Sequence, residues 1–158
     1  PVSEPNIDDL VDKNGSRLRF TSESADLKSC DVIYVAPDVV TDDQGQSDLQ
    51  TINNLLDVVF DAARPDAVII VLSQVPPGYT RSKQRAGHIL YYQVETLIFG
   101  RAVERALFPE RYIVGCEDPA QVLPEAFDTF LKAHGCHILT MRYESAELAK
   151  ISINMWYA

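Results

Sequence analysis

Three polar side chains near the end of the chain, Glu147, Lys150 and Asn154, are spaced by three and four residues. On a helix that spacing sets them near one face. A cation and an amide aimed into a dry cleft can bind a developing oxyanion, which needs fixed donors. The same residues can equally form a solvated stripe held by a Glu147–Lys150 pair, worth roughly a few tenths of a kcal/mol. Spacing alone leaves both readings open. A second polar pair, Ser73-Gln74, directly follows the most apolar run of the sequence. Ligands of parallel α/β sheets sit at the carboxyl ends of strands, so the pair is placed to touch a cofactor. The alternative is an ordinary turn built on Pro76-Pro77-Gly78.

Other clusters carry less. Asp38, Asp42, Asp43 and Asp48 crowd one segment, but Thr41-Asp42-Asp43-Gln44-Gly45 lacks EF-hand spacing and reads as a solvated acidic loop. His134, Cys136 and His137 have no second cluster to complete a tetrahedral zinc set. Cys30, Cys116 and Cys136 form no CxxC pair and read as reduced, partly buried thiols of a cytoplasmic protein. No GxSxG, HExxH or Walker loop is present.

The elements that must position these groups alternate. Asp31–Ala36 and Ala67–Leu72 are continuous, β-branched runs, as expected of strands buried on both faces of a parallel sheet. Tyr112–Gly115 and Cys136–Leu139 are shorter candidates, and Leu18–Thr21 and Tyr91–Val94 weaker ones. Between the two strong strands, Ile52, Leu55, Leu56, Val59, Phe60 and Ala63 follow the spacing of one buried helix face, with Ser47 or Asp48 as a cap. A second helix is expected over 124–134, with Ala126, Phe127, Phe130 and Leu131 inward, Pro124 in its first turn and Gly135 at its end. A third starts near Ser145. This alternation predicts a βαβ-type fold with right-handed crossovers. No two of the seven glycines are spaced G-x-G, the last helix reaches Trp156-Tyr157-Ala158 without a cap, and the chain starts at Pro1. These features suggest a chain cut at both ends.

The formal net charge of −9 disfavours nucleic-acid and membrane-surface binding, because it repels phosphate. The segment Pro1-Val2-Ser3-Glu4-Pro5 has neither the basic nor the apolar part of a signal peptide. With 46% hydrophobic and 23% charged residues, a single globular domain is the expected class.

Four segments give the chain a likeness. They are DVIYVAPDVVTDDQGQSDL (31–49), VIIVLSQVPPGYT (68–80), QVETLIFGRAVERALFPERYIVG (93–115) and SAELAKISINMWYA (145–158). In order and spacing the sequence resembles the UDP-glucose/GDP-mannose dehydrogenases, most specifically through its "A-E-x-x-K-x-x-x-N" helix. The resemblance implies an α/β fold: the distal part of a Rossmann-like NAD-binding domain over 1–143, then the start of a central connecting helix over 144–158. It implies NAD as cofactor, a nucleotide-sugar substrate, oxidation of the sugar C6 alcohol to the uronic acid, and a homodimer for the full-length protein. Lys150 and Asn154 match the lysine and asparagine that bind the reacting oxygen and substrate. Glu95 matches a glutamate of the site. Thr96, Leu97 and Ile98 match backbone contacts to the sugar nucleotide, and Ser73 and Gln74 fall at the cofactor-side turn. The family's cysteine nucleophile and aspartate would lie beyond Ala158, and its GxGxxG before Pro1, so the 158-residue piece alone is expected to be inactive. The sequence departs from the family where Gln74 replaces threonine, Phe99 replaces a second glutamate and Val39-Val40 replace Thr-Pro. Those departures keep a non-catalytic α/β binding or assembly module as the alternative.

Overall fold

The computed structural model describes residues 4–157, with the backbone alone for Asn154 and Tyr157. Pro1–Ser3 and Ala158, part of the terminal segments read above, lie outside the described residues. Five strands form one sheet in chain order: β1 (Val32–Val35), β2 (Val68–Val71), β3 (Ile89–Gln93), β4 (Arg111–Cys116) and β5 (His137–Arg142). β1, β2 and β3 are mutually parallel, and β4 and β5 are parallel to each other. The β3–β4 pair is antiparallel, with Tyr92 opposite Gly115 and Gln93 opposite Val114. The sheet is thus mostly parallel, as expected, with one antiparallel seam. There the connection from β3 to β4 runs through a loop and the short helix α4 (Ala102–Leu107) without a full crossover to return the chain to its starting edge.

The continuous apolar runs are explained by burial on two faces. Ile69 and Val71 of β2 point into one core with α2 (Gln50–Ala62), and Val68 and Ile70 into another with α5 (Glu125–Lys132). In α2, Ile52, Leu56, Val59 and Phe60 are buried. Leu55, expected inward, is 41% exposed, because the stripe facing the sheet is narrower than the apolar pattern. Asp48 accepts the Gln50 N–H at 2.9 Å in a local turn, but the cap position is Leu49, which has no capping side chain, so neither Ser47 nor Asp48 caps α2 as expected. In α5, Phe127 and Leu131 are buried, whereas Ala126 and Phe130 are exposed, correcting their inward assignment. Phe130 instead packs edge-on against Tyr34 and His134 at the rim. Leu18–Thr21 is not a strand. Helices α1 (Ile7–Asn14) and α3 (Tyr79–Ser82) complete the set with the last helix, α6 (Tyr143–Tyr157).

The first turns of α6 lie on the sheet with Tyr143 and Ala146 in the same core as α2. Gly115 permits that approach. A Cβ there would stand 3.0 Å from the Ala146 Cβ, 3.1 Å from the Tyr143 Cα and 3.1 Å from the Tyr92 Cβ, so any side chain would push helix and sheet apart. Among the described residues no helix is long and apolar enough to cross a membrane.

Candidate functional site

Two clefts meet on the sheet's edge. The first, of about 710 Å³, opens at the carboxyl ends of β1 and β2 between Ala36–Val39 and Leu72–Gln74. The second, of about 420 Å³, lies between the loop 94–98 and α6, with Arg105, Ile153 and Trp156 among its walls. Glu95, Leu97, Ile98 and Lys150 line both. Parallel strands leave their carboxyl ends open for ligands, and these two strands end together because β1 and β2 pair in register from Val32–Val68 to Val35–Val71.

Ser73 is buried and donates its hydroxyl to the Pro37 carbonyl at 2.5 Å, fastening the two strand ends together. Its proton is thus committed to the scaffold, while its oxygen can still accept. Gln74, next in the chain, is exposed and lines the first cleft. Thr96, Leu97 and Ile98 are exposed on the loop that separates the clefts, and Phe99, at 85% exposure, stands at the rim of the first. The Glu95 carboxylate turns back to accept the Leu97 N–H, which shapes that loop.

Lys150 reaches the loop from α6, donating from Nζ to the Glu95 carbonyl at 2.6 Å. The Glu147–Lys150 pair expected on a solvated stripe does not form. Glu147 is 0% exposed and accepts the Gly78 N–H at 2.5 Å and the Thr80 N–H at 2.8 Å. It follows Tyr143 and Ala146, both inward, by four and one residues, so it lies on the helix's buried face. That register, together with a Pro-Pro-Gly turn whose glycine can present its N–H, is the signal that could have singled it out. Asn154 lies one turn beyond Lys150 on the α6 backbone, and its side chain is outside the described residues.

The neighbouring contacts make the foot of α6 rigid. Tyr143 donates its hydroxyl to the Leu90 carbonyl and accepts from Gln84 Nε2, each at 2.6 Å. Glu144 pairs with Arg81, whose guanidinium holds the carboxyl down at about 2. Burial pushes the Tyr92 hydroxyl well above the usual range, and the Glu147 charge adds to that. Burial also pushes the Cys116 thiol up, and its Sγ donates to the Met141 carbonyl at 3.3 Å, so it is a packed thiol rather than an activated one. In the acidic loop, Asp42 accepts the Gln44 and Gln46 N–H groups, a local turn. Among the described residues no cluster of three His, Cys, Asp or Glu could hold a metal.

The first cleft suits one end of a dinucleotide. It combines apolar walls (Ala36, Val39, Leu72) with polar groups at Ser73 and Gln74. No G-x-G turn occurs anywhere in the sequence to cradle a pyrophosphate.

Known proteins share this architecture. The chain is 26% identical to UDP-glucose 6-dehydrogenase of Rickettsia typhi, over all of the chain and 39% of that enzyme. It is 26% identical to UDP-glucose 6-dehydrogenase TuaD of Bacillus subtilis, over all of the chain and 36% of that protein. The chain therefore spans under two-fifths of the length of these relatives. A UDP-glucose dehydrogenase from Pyrobaculum islandicum superposes with a TM-score of 0.80 at 25% identity, covering 98% of this chain and 39% of that one. GDP-mannose dehydrogenase from Pseudomonas aeruginosa shares the fold, with a TM-score of 0.82 at 20% identity over 99% of this chain and 40% of that one. Residues 1–131 match the model of the UDP-glucose/GDP-mannose dehydrogenase family, NAD binding domain, and the chain belongs to that family, with NAD as its cofactor.

Proposed function

We propose that the full-length protein oxidises the C6 alcohol of a UDP-glucose-like nucleotide sugar to the uronic acid, with the first cleft serving NAD and the second serving the sugar nucleotide. The observation that carries this reading is the junction of the clefts at Glu95 and Lys150. NAD, when bound, supplies a hydride acceptor. Ser73 and Gln74 stand on the cofactor side of that junction. Lys150, tethered to the Glu95 carbonyl, holds an ammonium where both clefts meet. There it can bind the alcohol oxygen and stabilise negative charge that develops on it. Asn154, one turn further along, is assigned to the same oxygen or its neighbours on the sugar. Thr96–Ile98 would hold the sugar nucleotide through backbone groups, and Glu95 shapes their loop. Residues 1–143 would form the distal part of the NAD domain and 144–158 the start of the connecting helix. Dimerisation of the full-length protein belongs to the same proposal.

The test is NADH formation by full-length protein with a panel of nucleotide sugars. Turnover with at least one of them, with two NADH per sugar, is expected. No NADH with any of them would sink the reading and favour a non-catalytic binding or assembly module, to which Gln74 and Phe99 point.

A further inference from the structure

Glu147 is the one carboxylate buried among the described residues, and no cation neutralises it there. A charge removed from water must be hydrogen-bonded to persist. Here both oxygens are taken by backbone N–H groups of one turn, Oε2 by Gly78 and Oε1 by Thr80. Gly78 has φ 93°, a left-handed conformation that glycine adopts without strain, and it presents its N–H to the carboxylate. One carboxylate thus grips the turn at two points. The turn continues from Ser73 and Gln74, on the wall of the first cleft.

Three residues beyond Glu147, Lys150 holds the loop after β3 through the Glu95 carbonyl. One stretch of α6 therefore clamps the loop after β2 with one side chain and the loop after β3 with another. Tyr92, on the strand that leads into Glu95, lies within the electrostatic reach of Glu147. The Tyr92 and Thr80 hydroxyls, both buried, meet no hydrogen-bond partner among the described residues, so the carboxylate's grip on this region runs through the two amides.

We propose that Glu147 is a positioning residue: by holding the Gly78 and Thr80 amides, it fixes where the cofactor-side turn stands relative to Lys150. This rests on the proposed role of Lys150 at the reacting oxygen. A misplacement of about 1 Å between reacting groups can cost about 10²-fold in rate, so such a tie is worth a buried charge.

The test is Glu147→Gln in the full-length protein. Glutamine keeps the shape, but only its oxygen can accept, and its NH₂ then faces the second N–H. The expected result is a kcat lowered at least about tenfold with the nucleotide-sugar KM within about twofold, since the lost interaction matters in the transition state. Amide hydrogen exchange should accelerate in segment 76–82 and stay unchanged in 93–98, which Lys150 still holds. Gly78→Ala disturbs the same turn without touching α6. It should lower kcat comparably, and the double variant should be no worse than the worse single one, as for two changes in one contact. A lowered melting temperature with kcat of the folded enzyme unchanged would show a merely structural role and overturn the proposal. Exchange unchanged in 76–82 would overturn it too. If the unaltered protein turns over no nucleotide sugar, the functional reading fails by itself. The exchange pattern then decides on Glu147 without it.

Discussion

The two ends of α6 live in different surroundings. Tyr143, Ala146 and Glu147 at its foot are sealed against the sheet and the turn after β2, whereas Met155 and Trp156 at its tip are largely exposed, Trp156 at 86%. Lys150 stands between them, half-buried, and holds the Glu95 carbonyl of the loop after β3. The contrast shows how a cation can be both fixed and accessible. The foot supplies rigidity through packing and buried hydrogen bonds, and the tip leaves the approach to the cation open.

The largest effect should come from the boundary itself. Lys150→Ala in the full-length protein should lower kcat by about 10²–10³-fold, the usual cost of removing one donor to a developing oxyanion. Its melting temperature should hold within a few degrees, because the side chain makes one hydrogen bond to a carbonyl at the edge of the fold. Steady-state kinetics beside thermal unfolding checks both.

The next effect separates foot from tip in stability. Gly115→Ala inserts a methyl group where Ala146 and the Tyr143 backbone already touch the sheet, and should cost about 1–3 kcal/mol in denaturant unfolding. Trp156→Ser, at the tip of the 158-residue chain, should change stability by less than about 0.5 kcal/mol. It should also reduce any self-association, because an exposed indole is removed.

The smallest effect is electrostatic. The Arg81 guanidinium holds the Glu144 carboxyl down at about 2, so its contribution is fully present above the ordinary carboxylate range and fades as pH falls towards that value. Both partners are 39% exposed, so the change should stay below about 1 kcal/mol. Thermal unfolding followed down in pH should show this loss, and Arg81→Gln should remove it.

Much of the frame was legible in the sequence, for a physical reason. A strand buried on both faces must be apolar at every position, so β1 and β2 stand out as runs, and α2 and α5 show one apolar stripe each. The short elements were not legible. α1 has no buried residue, α3 is one turn long, and α4 lies on a loop, so none has a core-facing pattern to betray it. The antiparallel β3–β4 seam was hidden because β4 is almost as apolar as a parallel strand. At the site, the spacing of Glu147 and Lys150 was visible but their partners were not. Each binds a backbone group brought close only by the fold, Gly78 and Thr80 for one and the Glu95 carbonyl for the other. A side chain's ion-pair options can be read along a helix, but its backbone partners across the chain cannot.

In the proposed reaction the reacting carbon sits where the two clefts meet at Lys150. A structure of the full-length protein with NAD and a nucleotide sugar bound tests it most directly. The nicotinamide is expected in the cleft beside Ser73 and Gln74, the sugar nucleotide between residues 95–98 and α6, and the sugar C6 oxygen within hydrogen-bonding distance of Lys150 Nζ. A sugar seated away from Lys150, or a nicotinamide outside the cleft at the ends of β1 and β2, would contradict it.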